Sequence, residues 1–141
     1  GRRAAERLGP DNDFLQELEL HDESRGGRVD GGKIGAEAAR HLGFALCANE
    51  VITSINLADN ALGADGVEAL TPALLSNRTL TSLGLADNGL GEAGARALAK
   101  VLHQNQTLVA VDVRGNGLTD EATDELRDAW GPGRDPERLL F

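Results

Sequence analysis

Residues 52–79 reappear as residues 80–107 without a gap and with 14 of 28 positions identical, so this chain must fold as a stack of similar units. A unit of that length cannot bury its own apolar face, and its stability comes from packing on its neighbours.

The apolar positions keep step as well as the identities. Both copies carry Leu-Ala-Asp-Asn, at 57–60 and 85–88, and both close on Asn-x-Thr. A third copy follows in register, with Leu108, Val111, Val113, Asn116 and Leu118 each 28 residues after Leu80, Leu83, Leu85, Asn88 and Leu90. Adding the same 28 to Val111 and Val113 gives Leu139 and Phe141, which predicts a further strand with both side chains in its apolar pair. Upstream, Leu15, Leu18 and Leu20 match Ile52, Ile55 and Leu57 at a separation of 37, so nine residues are inserted after Leu20. The whole chain, 1–141, reads as one solenoid and as a piece of a longer protein. Residues 1–14 end a preceding repeat, 15–51 form a repeat with an inserted loop near 23–32, repeats follow at 52–79, 80–107 and 108–135, and 136–141 form a terminal strand or cap.

Each unit holds two periodicities. Leu83 and Leu85 alternate with Gly84, the period of a strand with one buried face. Ala95, Leu98 and Leu102 are spaced three and four apart, the period of a helix with one apolar stripe. A strand, a turn and a helix per unit is an α/β arrangement. Trp130 takes the place of Leu102 in the last copy, and Gly131-Pro132-Gly133 is expected to stop the helix there.

The pattern Leu80-x-x-Leu83-x-Leu85-x-x-Asn88-x-Leu90-Gly91-x-x-Gly94-x-x-x-Leu98-x-x-x-Leu102 resembles a leucine-rich repeat of the ribonuclease-inhibitor-like type. The resemblance implies a right-handed solenoid with concave parallel strands and convex helices. The recurring Asn60, Asn88 and Asn116 are expected to be structural, because a carboxamide donates and accepts where the strand turns away and leaves backbone groups unpaired.

Charge and cysteine content narrow the function. A net charge of -9 and a pI near 4.7 oppose binding to a phosphate backbone, so nucleic acid is not an expected partner. No apolar run is long enough to span a bilayer. Cys47 is the single cysteine, which rules out an internal disulfide and points to the cytoplasm or another reducing intracellular compartment; its position near a helix end predicts a half-buried structural thiol.

No catalytic constellation emerges. Gly89-Leu-Gly91-Glu-Ala-Gly94 fits a dinucleotide fingerprint, but the copy at 61–66 lacks its first glycine and the copy at 117–122 the other two, and the repeat explains it better. Asn77-Arg-Thr79 and Asn105-Gln-Thr107 match the glycosylation pattern, yet they recur where each helix is expected to end. His21, His41 and His103 occupy different repeats and different repeat positions, so spacing implies no metal site. No cofactor is implied, and the chain is not read as an enzyme.

What remains is a protein-binding surface. The residues between and just after the inward-pointing positions form the concave face: Glu17, Glu19, His21 and Asp22, then Asn56 and Asp59, then Asp87, then Asp112 and Arg114, interleaved with small residues. This face is expected to be acidic and to meet a basic protein partner, or subunits of a larger complex, by electrostatic steering. The inserted loop, with Arg25 and Arg28 among four glycines, is the other candidate site. The leading function is an interaction or scaffold module of a large intracellular assembly. The alternatives are a GTPase regulator, since Ran GTPase-activating proteins resemble this chain at the repeat level, and the repeat domain of a NOD-like receptor.

Overall fold

A computed structural model of the chain describes residues 17–19 and 35–141. Five short strands, β1 (Glu17–Glu19), β2 (Ser54–Asn56), β3 (Ser82–Gly84), β4 (Ala110–Asp112) and β5 (Leu139–Leu140), lie side by side in chain order, all parallel. Four helices alternate with them: α1 (Ala36–Ala48), α2 (Gly63–Ser76), α3 (Gly91–Gln104) and α4 (Asp120–Trp130). A 3₁₀ turn at Pro136–Arg138 leads into β5. Register is set by the apolar centre of each strand: Leu18 faces Ile55, Ile55 faces Leu83, Leu83 faces Val111 and Val111 faces Leu139. A one-residue slip would turn Ile55, Leu83, Val111 and Leu139 out of the core.

The core is a repeating layer of leucines between sheet and helices. Ile55, Leu57, Leu83, Leu85, Leu98, Leu108 and Leu126 are all buried. Helices need close neighbours for this, and glycine permits it. A Cβ on Gly94 would lie 2.8 Å from Leu90 Cβ and 3.5 Å from the Ala64 Cα. The fingerprint-like glycines are therefore turn and packing residues, with Gly89 and Gly91 at φ of 64° and 61°.

Two asparagine ladders tie the units together. In the first, Asn88 Oδ1 accepts the Asn60 N–H at 2.8 Å, and Asn116 Oδ1 accepts the Asn88 N–H at 2.8 Å. The same oxygens reach the Leu62 and Leu90 N–H groups, while the main-chain carbonyls of Asn88 and Asn116 accept the N–H groups of Gly63 and Gly91. Helices α2 and α3 have no side-chain N-cap of their own, so the next repeat satisfies their first donors. In the second ladder Asn77 Nδ2 donates to Leu46 O at 2.7 Å and Asn105 Nδ2 to Leu74 O at 2.6 Å, each carrying the last carbonyls of the preceding helix. Their Oδ1 atoms accept the N–H groups of Leu80 and Leu108, turning the chain into the following strand. The Asn-x-Thr matches thus end helices, as expected, and also bridge repeats.

The second ladder's next position is Gly133, which has no side chain. Arg134 takes over. Its guanidinium donates to Leu102 O at 3.2 Å and to Asn105 O, the carbonyls an asparagine at 133 would serve, and also to Trp130 O at 3.0 Å. Burial lowers its pKa, and it stacks 4.9 Å from the Trp130 ring, whose Nε1 donates to Asp135 O. Trp130 ends α4 at Gly131, which adopts φ 76°.

Two expectations need correction. Cys47 is exposed rather than half-buried, because it lies off the apolar stripe of α1, whose buried residues are Ala39, Gly43 and Leu46. Phe141 does not pair with Leu139 in the core. Strand β5 ends at Leu140, Leu139 is 5% exposed, and the 38%-exposed Phe141 ring lies 4.8 Å from the Arg127 guanidinium on α4.

Candidate protein-binding groove

The sheet face turned away from the helices carries a groove of about 300 Å³ that crosses the strands. It is lined by Ser54 and Asn56 from β2, Ser82 and Gly84 from β3, Ala110 and Asp112 from β4, and by Glu137, Arg138 and Leu140 at its far end. Alternation places these side chains opposite the buried Ile55, Leu83 and Val111.

Local hydrogen bonds set the shape of the floor. Asn56 Oδ1 accepts the Ala58 N–H at 3.1 Å, which folds the amide down along the strand and toward β3. A Cβ on Gly84 would lie 2.6 Å from that oxygen, so glycine at this position makes room for the Asn56 amide. Asp112 makes the same turn with the Arg114 N–H at 3.0 Å, and its carboxylate also accepts from Arg114 Nε at 3.0 Å and Nη2 at 2.8 Å. Partial burial works to raise the Asp112 carboxyl. The side-chain hydrogen bond, backbone N–H and charge of Arg114 outweigh it and hold the carboxyl below its ordinary range.

The candidate residues are thus distributed unevenly. Asn56 and Asp112 line the groove, and Arg114 is exposed beside Asp112. Asp59 and Asp87 follow the strands in left-handed turns, at φ of 60° and 55°, where their N–H groups donate to Ala86 O and Arg114 O and extend the pairing beyond the sheet. Aspartate tolerates this conformation better than most residues. Gly115 takes the third turn, because a Cβ there would lie against the Asp87 carboxylate. Glu17 and Glu19 are in register with Ser54 and Asn56. His21, Asp22, Arg25 and Arg28 lie outside the described residues.

The lining from β2–β4 is small and polar, and its one carboxylate is matched by Arg114. Glu137, Arg138 and Leu140 were not foreseen as lining residues. The signal was Asp135-Pro136, which starts a turn: the Asp135 side chain accepts the Glu137 N–H at 2.9 Å and folds the segment over the end of the sheet. Among the described residues no group of His, Cys, Asp and Glu could hold a metal ion, and no helix is long and apolar enough to cross a membrane.

These features define a leucine-rich-repeat protein. The family described as "Leucine Rich repeat" matches at residues 48–70, 76–99 and 104–122, so the helix–turn–strand units seen in the structure are leucine-rich repeats. Two solved structures share the fold. One is titled "Leiomodin-1 Actin-Binding Site 2 (ABS2)", with a TM-score of 0.74 and 21% identity over 90% of this chain and 70% of that one. The other is the tropomodulin C-terminal domain from Caenorhabditis elegans, with a TM-score of 0.56 and 17% identity over 91% of this chain and 89% of that one. No curated protein matches the sequence.

Proposed function

We propose that this chain is a non-catalytic protein-interaction module that seats its partner in the groove across the sheet and serves as a scaffold segment of an intracellular assembly. The observation that carries this reading is the groove itself. It is a floor of small polar side chains flanked by the asparagine ladders that tie successive repeats together, with Ser54 and Ser82 hydroxyls that make no hydrogen bond among the described residues. A preorganised surface loses little entropy on binding.

Actin is the first partner to test, because the fold is shared with a structure titled as an actin-binding site. Co-sedimentation with filaments and a monomer-binding assay would compare the unchanged chain with Ser82→Arg and Gly84→Arg, which fill the groove, and with Lys100→Glu on the helical side. Binding lost in the first two variants and kept in the third is the expected result. Should actin not bind, affinity capture from extract with the same three variants extends the test to other proteins. A partner held equally by all of them would overturn the groove as the site.

A further inference from the structure

We propose that the groove selects for oxygen acceptors: over β2–β4 it takes an uncharged polypeptide segment that turns carbonyl groups, from its main chain or from Asn and Gln side chains, toward the floor. This rests on the groove being the binding site and adds the chemistry that fills it.

The side-chain acceptors of the floor are already committed. Asn56 Oδ1 takes the Ala58 N–H at 3.1 Å. Asp112 Oδ1 takes both the N–H and the Nε of Arg114 at 3.0 Å, and its Oδ2 takes Nη2 at 2.8 Å. What the lining from β2 to β4 has left over is donors. Asn56 Nδ2 and the Ser54 and Ser82 hydroxyls make no hydrogen bond among the described residues. A hydroxyl can also accept, but an amide nitrogen only donates, so Asn56 sets the sign of the floor. Which end of that amide is nitrogen follows from the Ala58 contact, because the reverse orientation would set NH2 against an N–H. Gly84 and Ala110 carry nothing beyond a Cβ, so a partner's main chain can come close to these donors.

Charge narrows the acceptors to neutral ones. Asp112 and Asp87 both act on the one guanidinium of Arg114. Asp59, in the equivalent turn of the preceding repeat, adds a carboxylate and no cation, and Glu137 offsets Arg138 at the far end. Cations do not outnumber acids among these residues, so a carboxylate or phosphate meets no net attraction. A lysine or arginine side chain fails for the other reason. It brings only donors and would leave the Asn56 amide covered and unmatched.

The test is NMR titration of the isotope-labelled whole chain, following the backbone amides of Ser82 and Gly84. The probes are three peptides with blocked ends, Gly-Gln-Gly-Gln-Gly, Gly-Lys-Gly-Lys-Gly and Gly-Glu-Gly-Glu-Gly. The glutamine peptide should bind most tightly. Asn56→Asp keeps an acceptor for the Ala58 N–H and replaces the donor nitrogen by an oxygen, so it should weaken the glutamine peptide about fivefold, and Ser82→Ala should weaken it by a similar factor. A charged peptide bound as tightly as the glutamine one, no binding of any peptide, or an Asn56→Asp chain that binds like the unchanged one would overturn the acceptor reading. Where a whole partner is still excluded by Ser82→Arg, that failure leaves the groove standing as the site. Where it is not, both fall.

Discussion

Asn116→Ala removes one rung of the first ladder at a place where every partner can be followed. Asn116 Oδ1 accepts the N–H groups of Asn88 at 2.8 Å and Leu90 at 3.2 Å, and Nδ2 donates to Leu85 O and Val113 O, both at 2.8 Å, and to Arg114 O at 3.2 Å. The Arg114 carbonyl keeps the Asp87 N–H at 2.9 Å. The two N–H groups and the carbonyls of Leu85 and Val113 would lose their amide partner in a site where Asn116 is only 4% exposed. An orphaned buried polar group costs about 1–3 kcal/mol, and some of these would recover water in the space vacated, so the expected loss is about 3–5 kcal/mol. That is a large share of the stability of a domain this size. Asn116→Asp separates the two roles of the amide. The introduced carboxylate still accepts from Asn88 and Leu90 but turns an oxygen toward Leu85 O and Val113 O, which favours its protonated form and raises its folded pKa above the unfolded value. The folded state then holds more protons between the two values, so this variant should gain stability as pH falls through its folded pKa and lose it as pH rises. Urea unfolding followed by circular dichroism across pH measures both variants. A loss under about 1 kcal/mol for Asn116→Ala, or a pH-independent Asn116→Asp, would refute the ladder as a stabilising element.

Arg134→Ala should cost about 1–3 kcal/mol by stripping charged donors from the ends of α3 and α4, and the single tryptophan, Trp130, should report it as a shifted emission spectrum before global unfolding. Ala61 sits at φ 54°, a left-handed conformation costing a non-glycine residue about 1–2 kcal/mol, so Ala61→Gly should stabilise by about 0.5 kcal/mol after the roughly 0.4–1 kcal/mol entropy difference, read as a raised urea midpoint. The Asp112 carboxyl should titrate below the ordinary aspartate range by carboxyl NMR, and Arg114→Ala should move it upward, because burial is then opposed by the backbone N–H of residue 114 alone. Since the folded value is lowered, the stability Asp112 contributes is present above the unfolded pKa and is lost as pH falls through the folded one.

Much of the fold was legible because a solenoid repeats its physics at a fixed interval. The 28-residue spacing that aligns Leu83 with Val111 is also their strand register, and the same spacing carries Asn88 onto Asn116. What recurs can be read; what happens once cannot. Arg134 acts from the position after the ladder, and only the path of the chain past Gly131 brings its guanidinium to Leu102 and Asn105. The visible trace was a vacancy in a pattern, Gly133 where 49, 77 and 105 carry Asn. Phe141 fails the arithmetic for a related reason: it occupies the right interval, but β5 stops one residue earlier and Arg127 offers its ring a surface partner.

The electrostatics of the groove depend on which acids are paired. Asp112 and Arg114 are two apart in sequence, and the turn that closes β4, with the Arg114 N–H on Asp112 Oδ1, brings the guanidinium into a bidentate contact with the carboxylate. With that carboxylate matched, the lining from β2 to β4 offers size and hydrogen bonding as its means of selection. Changes at Ser82 or Gly84 should accordingly act mainly on the off-rate of a partner seated in the groove.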